Sequence, residues 1–379
     1  MKIRSLVLTL LALSLFIASS GAQEGRPDRG QMRARLLERF DHDGDGRLSG
    51  QERAELREFV QRWRSGREAA GKGKGPELSG IGRMEELPPQ ELTELYGWPA
   101  PGIALIKKDL ELEDQARNKT LQIRATYPSN SQGKLPVIVW SHGLYGSQDS
   151  YNPLIEFWAK HGYLVLQPSH SDSLRRGSGL KNPTSDWANR PKDISFLLDS
   201  IKSQQLLAGK ADLSRIGMGG HSYGSHTTLL VEGASTRIGG PFSDPRPRAF
   251  IAISPQGKDR LLDDSSWSGL KRPTLFISGD NDTGRKGDDS SWRLAPYKGS
   301  PAGEKYLLWV KDAYHNFGGI SGMRHSKSGP ANGDQLTLVK SATLAFWDKY
   351  LKGDPTAGKL IDSGSYNGAA KGLAEWNER

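Results

Sequence analysis

The chain has 379 residues, carries a formal net charge of +9 at pH 7 and contains no cysteine. This length allows one large buried core with an appendage, or two domains. Disulfide bonds are excluded, so the core alone must stabilise the fold. The basic residues are spread along the chain rather than clustered with aromatic residues on one element, which argues against binding of nucleic acid.

Residues 1–22 have the features of a secretory signal peptide. Basic residues at Lys2 and Arg4 precede an apolar run from Leu6 to Ile17, and small residues follow up to Ala22. A membrane-spanning helix needs about 20 apolar residues, so this shorter run favours cleavage over an uncleaved anchor. We therefore expect an exported protein, periplasmic or extracellular, with no membrane span after removal of the leader.

Residues 23–64 are expected to form a single EF-hand, a calcium-binding helix-loop-helix. Apolar residues at helical spacing in 31–40 and 51–63 flank the acidic loop 41–52, and the loop satisfies each position of the EF-hand pattern. The expected Ca²⁺ ligands are Asp41, Asp43, Asp45, the carbonyl of Arg47, Ser49 and Glu52. The competing interpretation is an acidic turn that holds no ion. Because no second loop matches, the hand either works alone or pairs with the hand of a second copy, which would be self-association through this segment.

Residues 65–92 are rich in Gly, Lys, Pro and Glu, which predicts a flexible linker. Over 93–379, short apolar runs typical of buried strands alternate with helical patterns. The predicted strands are 121–127, 135–140, 163–167, 214–218, 249–254, 273–278 and 306–310, and the predicted helices are 153–161, 191–202, 225–232 and 335–351. This alternation predicts an α/β domain whose mostly parallel sheet is covered by helices on both faces.

The strand predicted over 214–218 leads into Gly220-His221-Ser222-Tyr223-Gly224, a G-x-S-x-G motif with a predicted helix behind it. In this context the glycines allow a sharp turn that exposes the serine hydroxyl, so Ser222 is the predicted nucleophile. A serine hydroxyl needs a base, and a third group that orients the base. His221 and His226 are too close along the chain to reach the hydroxyl, and we expect them to pack beside the turn.

The acid and the base are expected to follow Ser222 in that order. Asp280 and Asp282 both follow the strand predicted over 273–278. We favour Asp282, because a residue or two beyond the strand is needed to reach the histidine, whereas Asp280 is suited to capping the turn. His315 follows the next strand and is the predicted base; His325 is the alternative, although no strand precedes it.

The turn Ser141-His142-Gly143-Leu144-Tyr145-Gly146 follows the strand predicted over 135–140. Such a turn can direct a backbone N–H toward the nucleophile, so we expect the amides of Leu144 and Tyr223 to stabilise an oxyanion. His142 is expected to brace this loop. Further along, Arg190 and Asp193 on one predicted helix are expected to form a structural ion pair.

Three stretches, 137–146, 162–170 and 220–224, resemble the α/β-hydrolase branch that contains platelet-activating-factor acetylhydrolases, cutinase-like polyester hydrolases and dienelactone-hydrolase-like proteins. The resemblance covers roughly 110–351. It implies a sheet of about eight strands, a Ser-His-Asp triad, and hydrolysis of a small or polymeric carboxylic ester without a cofactor. In the acetylhydrolases the acid follows the next strand after the turn that carries the nucleophile. At that place this chain has Ser254-Pro255-Gln256-Gly257. An acid after Ile277 is more similar to the cutinase-like arrangement.

The sequence thus predicts an exported serine ester hydrolase, with 93–379 as its catalytic domain and calcium bound only by the EF-hand. One alternative is a calcium-dependent binding or scaffold protein whose hydrolase domain is inactive. Another is a lipid hydrolase or peptidase on the same fold. Aromatic residues in connecting stretches either line an acyl pocket or pack loops onto the core; these are Tyr145, Trp187, Trp267 and Trp292.

Overall fold

The computed structural model describes residues 48–56, 83–173, 183–284, 287–324 and 327–379. The chain divides into two compact units, one made of 1–82 with 179–183 and one made of 83–178 with 184–379. In the first unit, residues 50–56 are helical. The predicted signal peptide and His325 lie outside the described residues, as do four of the expected calcium ligands, namely Asp41, Asp43, Asp45 and Arg47. Within the described ranges, every helix is too short or too polar to cross a bilayer.

The second unit includes the end of the segment that was expected to be a linker. The Met84 N–H donates to the Gly322 carbonyl at 3.0 Å. Three successive amides, ending with that of Leu92, donate to the Asp334 carboxylate at 3.0 Å each, and the Leu92 side chain is buried. Residues 83–92 are therefore packed onto this unit, so it begins at Arg83 rather than at residue 93.

One sheet runs through the second unit. Its nine described strands are β1 (Leu105–Asp114), β2 (Lys119–Pro128), β3 (Leu135–Ser141), β4 (Leu164–Ser169), β5 (Ala211–His221), β6 (Ala249–Ile253), β7 (Thr274–Asn281), β8 (Lys305–Tyr314) and β9 (Ala374–Glu378). They lie in the order β1-β2-β4-β3-β5-β6-β7-β8-β9. The pairs from β4 through β3 to β8 are parallel, and β1-β2, β2-β4 and β8-β9 are antiparallel. The predicted mostly parallel sheet is confirmed.

The two edge strands were not predicted from the sequence. β1 has the sequence LIKKDLELED and β9 has AEWNE, and most of their residues are not buried. Each has a neighbour on one side only, so neither needs a continuous apolar run. Their charged side chains also block pairing with another chain at the exposed edge.

Helices cover both faces of the sheet, as predicted. The described helices are α1 (Asn152–Lys160), α2 (Pro183–Ser200), α3 (Gln205–Lys210), α4 (Tyr223–Glu232), α5 (Ala295–Gly299), α6 (Gly333–Trp347), α7 (Pro355–Asp362) and α8 (Ser365–Ala369). Alternate residues of β3 point to opposite faces. Ile138 and Trp140 pack in the cluster that includes α1 and α6, whereas Val137 and Val139 pack in the cluster that includes α2 and α3.

The carboxyl ends of the parallel strands lie at one edge of the sheet, where ligands bind in folds of this type. β5 ends one residue before Ser222, β7 one residue before Asp282, and β8 one residue before His315. β3 ends at Ser141, where the loop to Leu144 begins. The three strands β5, β7 and β8 run further than the sequence predicts, so they carry the site residues directly rather than through flexible loops.

Candidate active site

Ser222 lies on a strained turn between β5 and α4, and we call this turn, residues 220–224, the elbow. Its backbone has φ 56° and ψ −117°, a region that non-glycine residues rarely adopt. The Ser222 N–H donates to the Ile253 carbonyl at 2.9 Å, which ties the turn to the end of β6. A Cβ on Gly224 would lie 1.9 Å from the Ser141 carbonyl oxygen, and one on Gly220 would lie 2.3 Å from the Gly224 oxygen. The glycines of the motif thus allow backbone contacts that no other residue permits.

Ser222, His315 and Asp282 form a continuous row of hydrogen bonds. The Ser222 hydroxyl lies 3.0 Å from His315 Nε2, and His315 Nδ1 lies 2.7 Å from Asp282 Oδ1. The Asp282 side chain is fully buried, whereas that of His315 is 14% exposed. A ring that donates from Nδ1 to a carboxylate has Nε2 available as an acceptor for the serine proton.

The Asp282 carboxylate is surrounded by donors. Ser254 Oγ lies 2.9 Å from Oδ1, Ser278 Oγ lies 3.0 Å from Oδ2, and Arg293 Nε lies 2.9 Å from Oδ1. Burial acts to raise the pKa of Asp282, but the charges of Arg293 and His315 outweigh it and lower this pKa to about 2. Asp282 is therefore ionised at neutral pH and favours the imidazole tautomer with a proton on Nδ1.

Arg293 was missed by the sequence analysis. Its side chain is only 5% exposed, and its guanidinium donates to the carbonyls of Asp282, Ser254, Pro255 and Thr283. One cation thus holds the segments after β6 and β7 around the Asp282 carboxylate. No sequence pattern indicates this contact, because Arg293 lies in a polar stretch like other arginines of the chain.

Asp280, the competing candidate for the acid, is hydrogen-bonded to residues of β8 rather than to Ser222 or His315. Its carboxylate accepts the Trp309 indole N–H at 2.6 Å and the Asp312 amide at 2.9 Å, and the residue is exposed. These contacts fit the turn-capping role that the sequence indicates for Asp280. Of the two aspartates, Asp282 is the one that the structure brings to His315.

The loop after β3 presents the Leu144 amide between two amides that are already bonded. The Gly143 N–H donates to the Tyr151 hydroxyl at 3.1 Å, and the Tyr145 N–H donates to Asp172 at 3.0 Å. The Leu144 N–H has no hydrogen-bond partner among the described residues. Tyr223, the other expected donor, is the first residue of α4, and the N–H groups of a helix's first turn point out of its N-terminal end, here toward the turn at Ser222.

His221 links this loop to the histidine of the row. The Tyr151 hydroxyl donates to His221 Nδ1 at 2.8 Å, and His221 Nε2 donates to the His315 carbonyl at 2.7 Å. Since Tyr151 also accepts the Gly143 amide, one chain of hydrogen bonds joins the loop after β3 to the loop after β8. His221 packs beside the turn as expected, and in addition it holds His315 by its backbone.

Several known proteins resemble this chain in sequence. A family model described as Chlorophyllase matches residues 102–255. A bis(hydroxyethyl) terephthalate hydrolase of Streptomyces coelicolor is 28% identical over 158 residues, which are 41% of this chain and 43% of that protein. A platelet-activating factor acetylhydrolase of Cavia porcellus is 24% identical over 277 residues, which are 59% of each chain.

The solved structure of a ferulic acid esterase from Streptomyces cinnamoneus covers 68% of this chain and 92% of that chain, with a TM-score of 0.53 and 18% identity. This likeness and the mixed sheet with helices on both faces agree with one fold. The second unit has an α/β-hydrolase fold. The chain spans 43% and 59% of the length of the two curated relatives described above.

The expected ion pair between Arg190 and Asp193 is not formed, and that prediction is wrong. Arg190 pairs with Asp172, with Nη2 at 2.6 Å from Oδ2. Asp193 pairs with Lys119 and Arg117, each at 2.7 Å. The two residues lie near each other on α2, but each side chain meets a charge on a different strand or loop, which local spacing does not reveal.

His142 braces the loop after β3 from below, as expected. Its Nδ1 donates to the Gly143 carbonyl at 2.7 Å, and its Nε2 accepts the His170 amide at 3.0 Å. Burial and the charge of Arg190 keep the pKa of His142 well below its usual value. The ring is therefore neutral, as this pair of hydrogen bonds requires.

A second Ser-His-Asp row lies beneath the same loop. The Ser141 hydroxyl is 2.9 Å from His170 Nε2, and His170 Nδ1 is 2.9 Å from Asp193. All three side chains are fully buried. Burial lowers the pKa of His170 to about 4, so the ring is neutral at pH 7. This row joins the ends of β3 and β4 to α2, and no substrate can reach it without unfolding.

The aromatic residues proposed for a pocket divide into two kinds. Trp187 and Trp267 are buried and belong to the apolar cluster around α4, so they pack the core. Trp292 and Tyr145 are both half-buried; Trp292 donates to the Lys258 carbonyl at 2.8 Å, and Tyr145 lies in the loop after β3.

Two of the six expected calcium ligands lie within the described residues. The Ser49 N–H donates to Glu52 Oε2 at 2.7 Å, and the Glu52 N–H donates to Ser49 Oγ at 3.3 Å. This reciprocal pair is a capping box at the start of the helix over 50–56. The end of the predicted loop therefore initiates the helix that an EF-hand requires.

The elbow's dependence on glycine can be tested through stability. Gly224→Ala forces its Cβ into the Ser141 carbonyl, so the free energy of unfolding should fall by about 1–3 kcal/mol in urea titrations. Gly358→Ala is the matched control: it lies inside α7, and the nearest atom to its Cβ would be 4.0 Å away. That variant should be unchanged or up to about 1 kcal/mol more stable. Equal stabilities of the two variants would contradict the close contact at the elbow.

Proposed function

We propose that this protein is an exported serine hydrolase that cleaves small or polymeric carboxylic esters. The observation that carries the proposal is the row Ser222–His315–Asp282 at the carboxyl ends of β5, β8 and β7, with the serine at 3.0 Å from the imidazole. The names of its relatives, a terephthalate ester hydrolase, an acetylhydrolase and a ferulic acid esterase, agree with this chemistry. Export is inferred from the signal-peptide features of residues 1–22.

The first half of the reaction forms an acyl-enzyme. Ser222 Oγ attacks the ester carbonyl carbon while its proton passes to His315 Nε2, and the carbonyl π electrons move onto oxygen. The amides of Leu144 and Tyr223 receive this oxyanion. When the tetrahedral intermediate collapses, the C–O bond to the leaving alcohol breaks, and His315 returns the proton to that alcohol. In the second half, water replaces Ser222 as nucleophile and the same steps release the acid.

The protonation states at neutral pH suit these steps. Burial lowers the pKa of His315, and Asp282 acts in the opposite direction without restoring the usual value. The free imidazole is therefore neutral at pH 7 and accepts the serine proton. Asp282 remains ionised and stabilises the imidazolium that forms in each half-reaction.

The position of the acid favours the cutinase-like arrangement. The end of β6, where acetylhydrolases carry the acid, holds Ser254, and this residue donates to Asp282 at 2.9 Å. The acid itself follows β7. This arrangement supports polyester-like or small ester substrates over phospholipids.

The nucleophile is tested directly by Ser222→Ala. We expect the variant to lose nearly all hydrolysis of p-nitrophenyl butyrate and all covalent labelling by a fluorophosphonate, because neither reaction proceeds without the Oγ. Circular dichroism would verify that the fold is retained. Wild-type protein that neither labels nor hydrolyses a panel of esters would instead support a binding or scaffold role.

The acid is tested by comparing Asp282→Asn with Asp280→Asn. We expect Asp282→Asn to lower kcat by roughly 10⁴-fold, because the amide leaves the imidazole in the wrong tautomer. Asp280→Asn should retain kcat and lose about 0.5–1.5 kcal/mol of stability through its weakened hydrogen bonds. The reverse pattern in kcat, measured per labelled active site, would move the acid to Asp280.

We also propose that the N-terminal unit binds Ca²⁺ and that the ion has no part in the ester chemistry. Calcium prefers six to eight oxygen ligands, and the loop 41–52 offers carboxylates at the positions that an EF-hand uses. The capping box between Ser49 and Glu52 supports the proposal, because Glu52 binds the Ser49 amide through one oxygen in the orientation that begins the second helix. Glu52 would close the coordination shell.

Calcium titration calorimetry on the full chain tests this site. Wild-type protein should bind one Ca²⁺ and should melt at a lower temperature in EGTA, whereas Glu52→Gln should lose both effects because the bidentate ligand is removed. Glu55→Gln, on the same helix but outside the loop, serves as the control and should behave as wild type. A wild-type chain that binds no Ca²⁺ would leave residues 41–52 as an acidic turn.

A further inference from the structure

Arg190 lies beneath the proposed oxyanion hole. Its side chain is 1% exposed, and its guanidinium contacts the loop after β3 on one side and Tyr223 on the other. We propose that Arg190 is a positioning residue that sets the direction of both oxyanion-binding amides. The inference rests on the proposed ester hydrolysis and deepens it, because Arg190 acts through the donors rather than on the substrate.

The first contact orients the Leu144 amide through the peptide plane. Arg190 Nη1 donates to the His142 carbonyl at 2.6 Å, and Nη2 lies 3.3 Å from the Gly143 carbonyl oxygen. The Gly143 carbonyl and the Leu144 N–H belong to one planar trans peptide unit and point in opposite directions. A cation that holds the carbonyl on the inner side therefore directs the N–H to the outer side.

The second contact fixes the residue that follows the nucleophile. The guanidinium carbon of Arg190 lies 4.3 Å from the centroid of the Tyr223 ring, a cation–π distance. The Tyr223 ring is also stacked with that of His226, at 6.2 Å and 10° between planes. Tyr223 is thereby held by its side chain at the first position of α4.

Asp172 completes the arrangement. It binds Arg190 in bidentate form, at 3.0 Å to Nε and 2.6 Å to Nη2, and its Oδ2 also accepts the Tyr145 amide at 3.0 Å. The charge of Arg190 keeps the pKa of Asp172 well below its usual range against the effect of burial. The same ion pair therefore holds the peptide units before and after Leu144.

A purely structural role predicts a different outcome from a positioning role. Buried ion pairs add little net stability compared with apolar residues of similar size, so stability alone gives no reason for a guanidinium here. The planar fork reaches two carbonyls, a carboxylate and a ring at once, and a lysine ammonium cannot reproduce this geometry. Arg190→Lys keeps the charge and removes the fork, so it isolates the effect of orientation.

The experiment compares Arg190→Lys and Arg190→Gln with Arg272→Gln. Arg272 also donates to several backbone carbonyls, but these are the carbonyls of residues 231, 232, 244 and 247, away from the site. For each protein we would count active sites by fluorophosphonate labelling to completion and measure kcat and KM for p-nitrophenyl butyrate. The inhibition constant of a trifluoromethyl ketone would be measured too, because Ser222 adds to its carbonyl and leaves an oxyanion in the hole.

We expect both Arg190 variants to lose kcat on the order of 100-fold per labelled site, with KM little changed and the ketone weakened by a similar factor. Arg272→Gln should melt at a lower temperature with kcat and ketone affinity unchanged. If Arg190→Gln does not fold, Arg190→Lys alone decides. Wild-type kcat and ketone affinity in Arg190→Lys would overturn the inference, whereas failure of the wild type to label would overturn the proposed function itself.

Discussion

The strained backbone at Ser222 is the constraint on which the rest of the site depends. At φ 56° and ψ −117° this residue is held only because its surroundings leave no alternative. The Ser222 amide bonds the end of β6, and Gly224 packs against the Ser141 carbonyl at the end of β3. The elbow therefore ties three neighbouring strands together, and the loop toward Leu144 starts from one of these contacts. The position of the proposed nucleophile and that of the loop proposed to bind the oxyanion are thus set by the same packing.

On opposite sides of the elbow, two buried arginines each neutralise a buried carboxylate. Arg293 pairs with Asp282, and Arg190 pairs with Asp172. In both cases the remaining guanidinium donors bind backbone carbonyls of the loops that surround the site. A buried carboxylate without a partner would protonate or unfold its surroundings. By using arginine as the partner, the chain keeps each carboxylate ionised and also restrains loops that have no regular secondary structure.

The sequence was sufficient to predict the site residues that directly follow apolar strands. Ser222, Asp282 and His315 each come directly after a buried strand, and parallel strands bring such positions to one edge. Arg190 and Arg293 could not be assigned in this way, because a charged side chain finds its partner through tertiary packing rather than through spacing along a helix. For the same reason the expected pairing of Arg190 with Asp193 was wrong. The charged edge strands could not be predicted, because each is paired on one side only and therefore lacks the continuous apolar run that marks a buried strand.

The two Ser-His-Asp rows explain why the residue types alone do not define a catalytic site. Ser141–His170–Asp193 has hydrogen bonds of 2.9 Å and the same order of groups as Ser222–His315–Asp282. Ser141, however, lies at the end of a regular strand with its hydroxyl fully buried, whereas the turn at Ser222 leaves the serine partly exposed. Of the two serines, only Ser222 lies both at the start of a helix and beside the loop whose Leu144 N–H has no hydrogen-bond partner among the described residues. The inner row holds that loop in place, so one set of residue types both supports the site and performs its proposed chemistry.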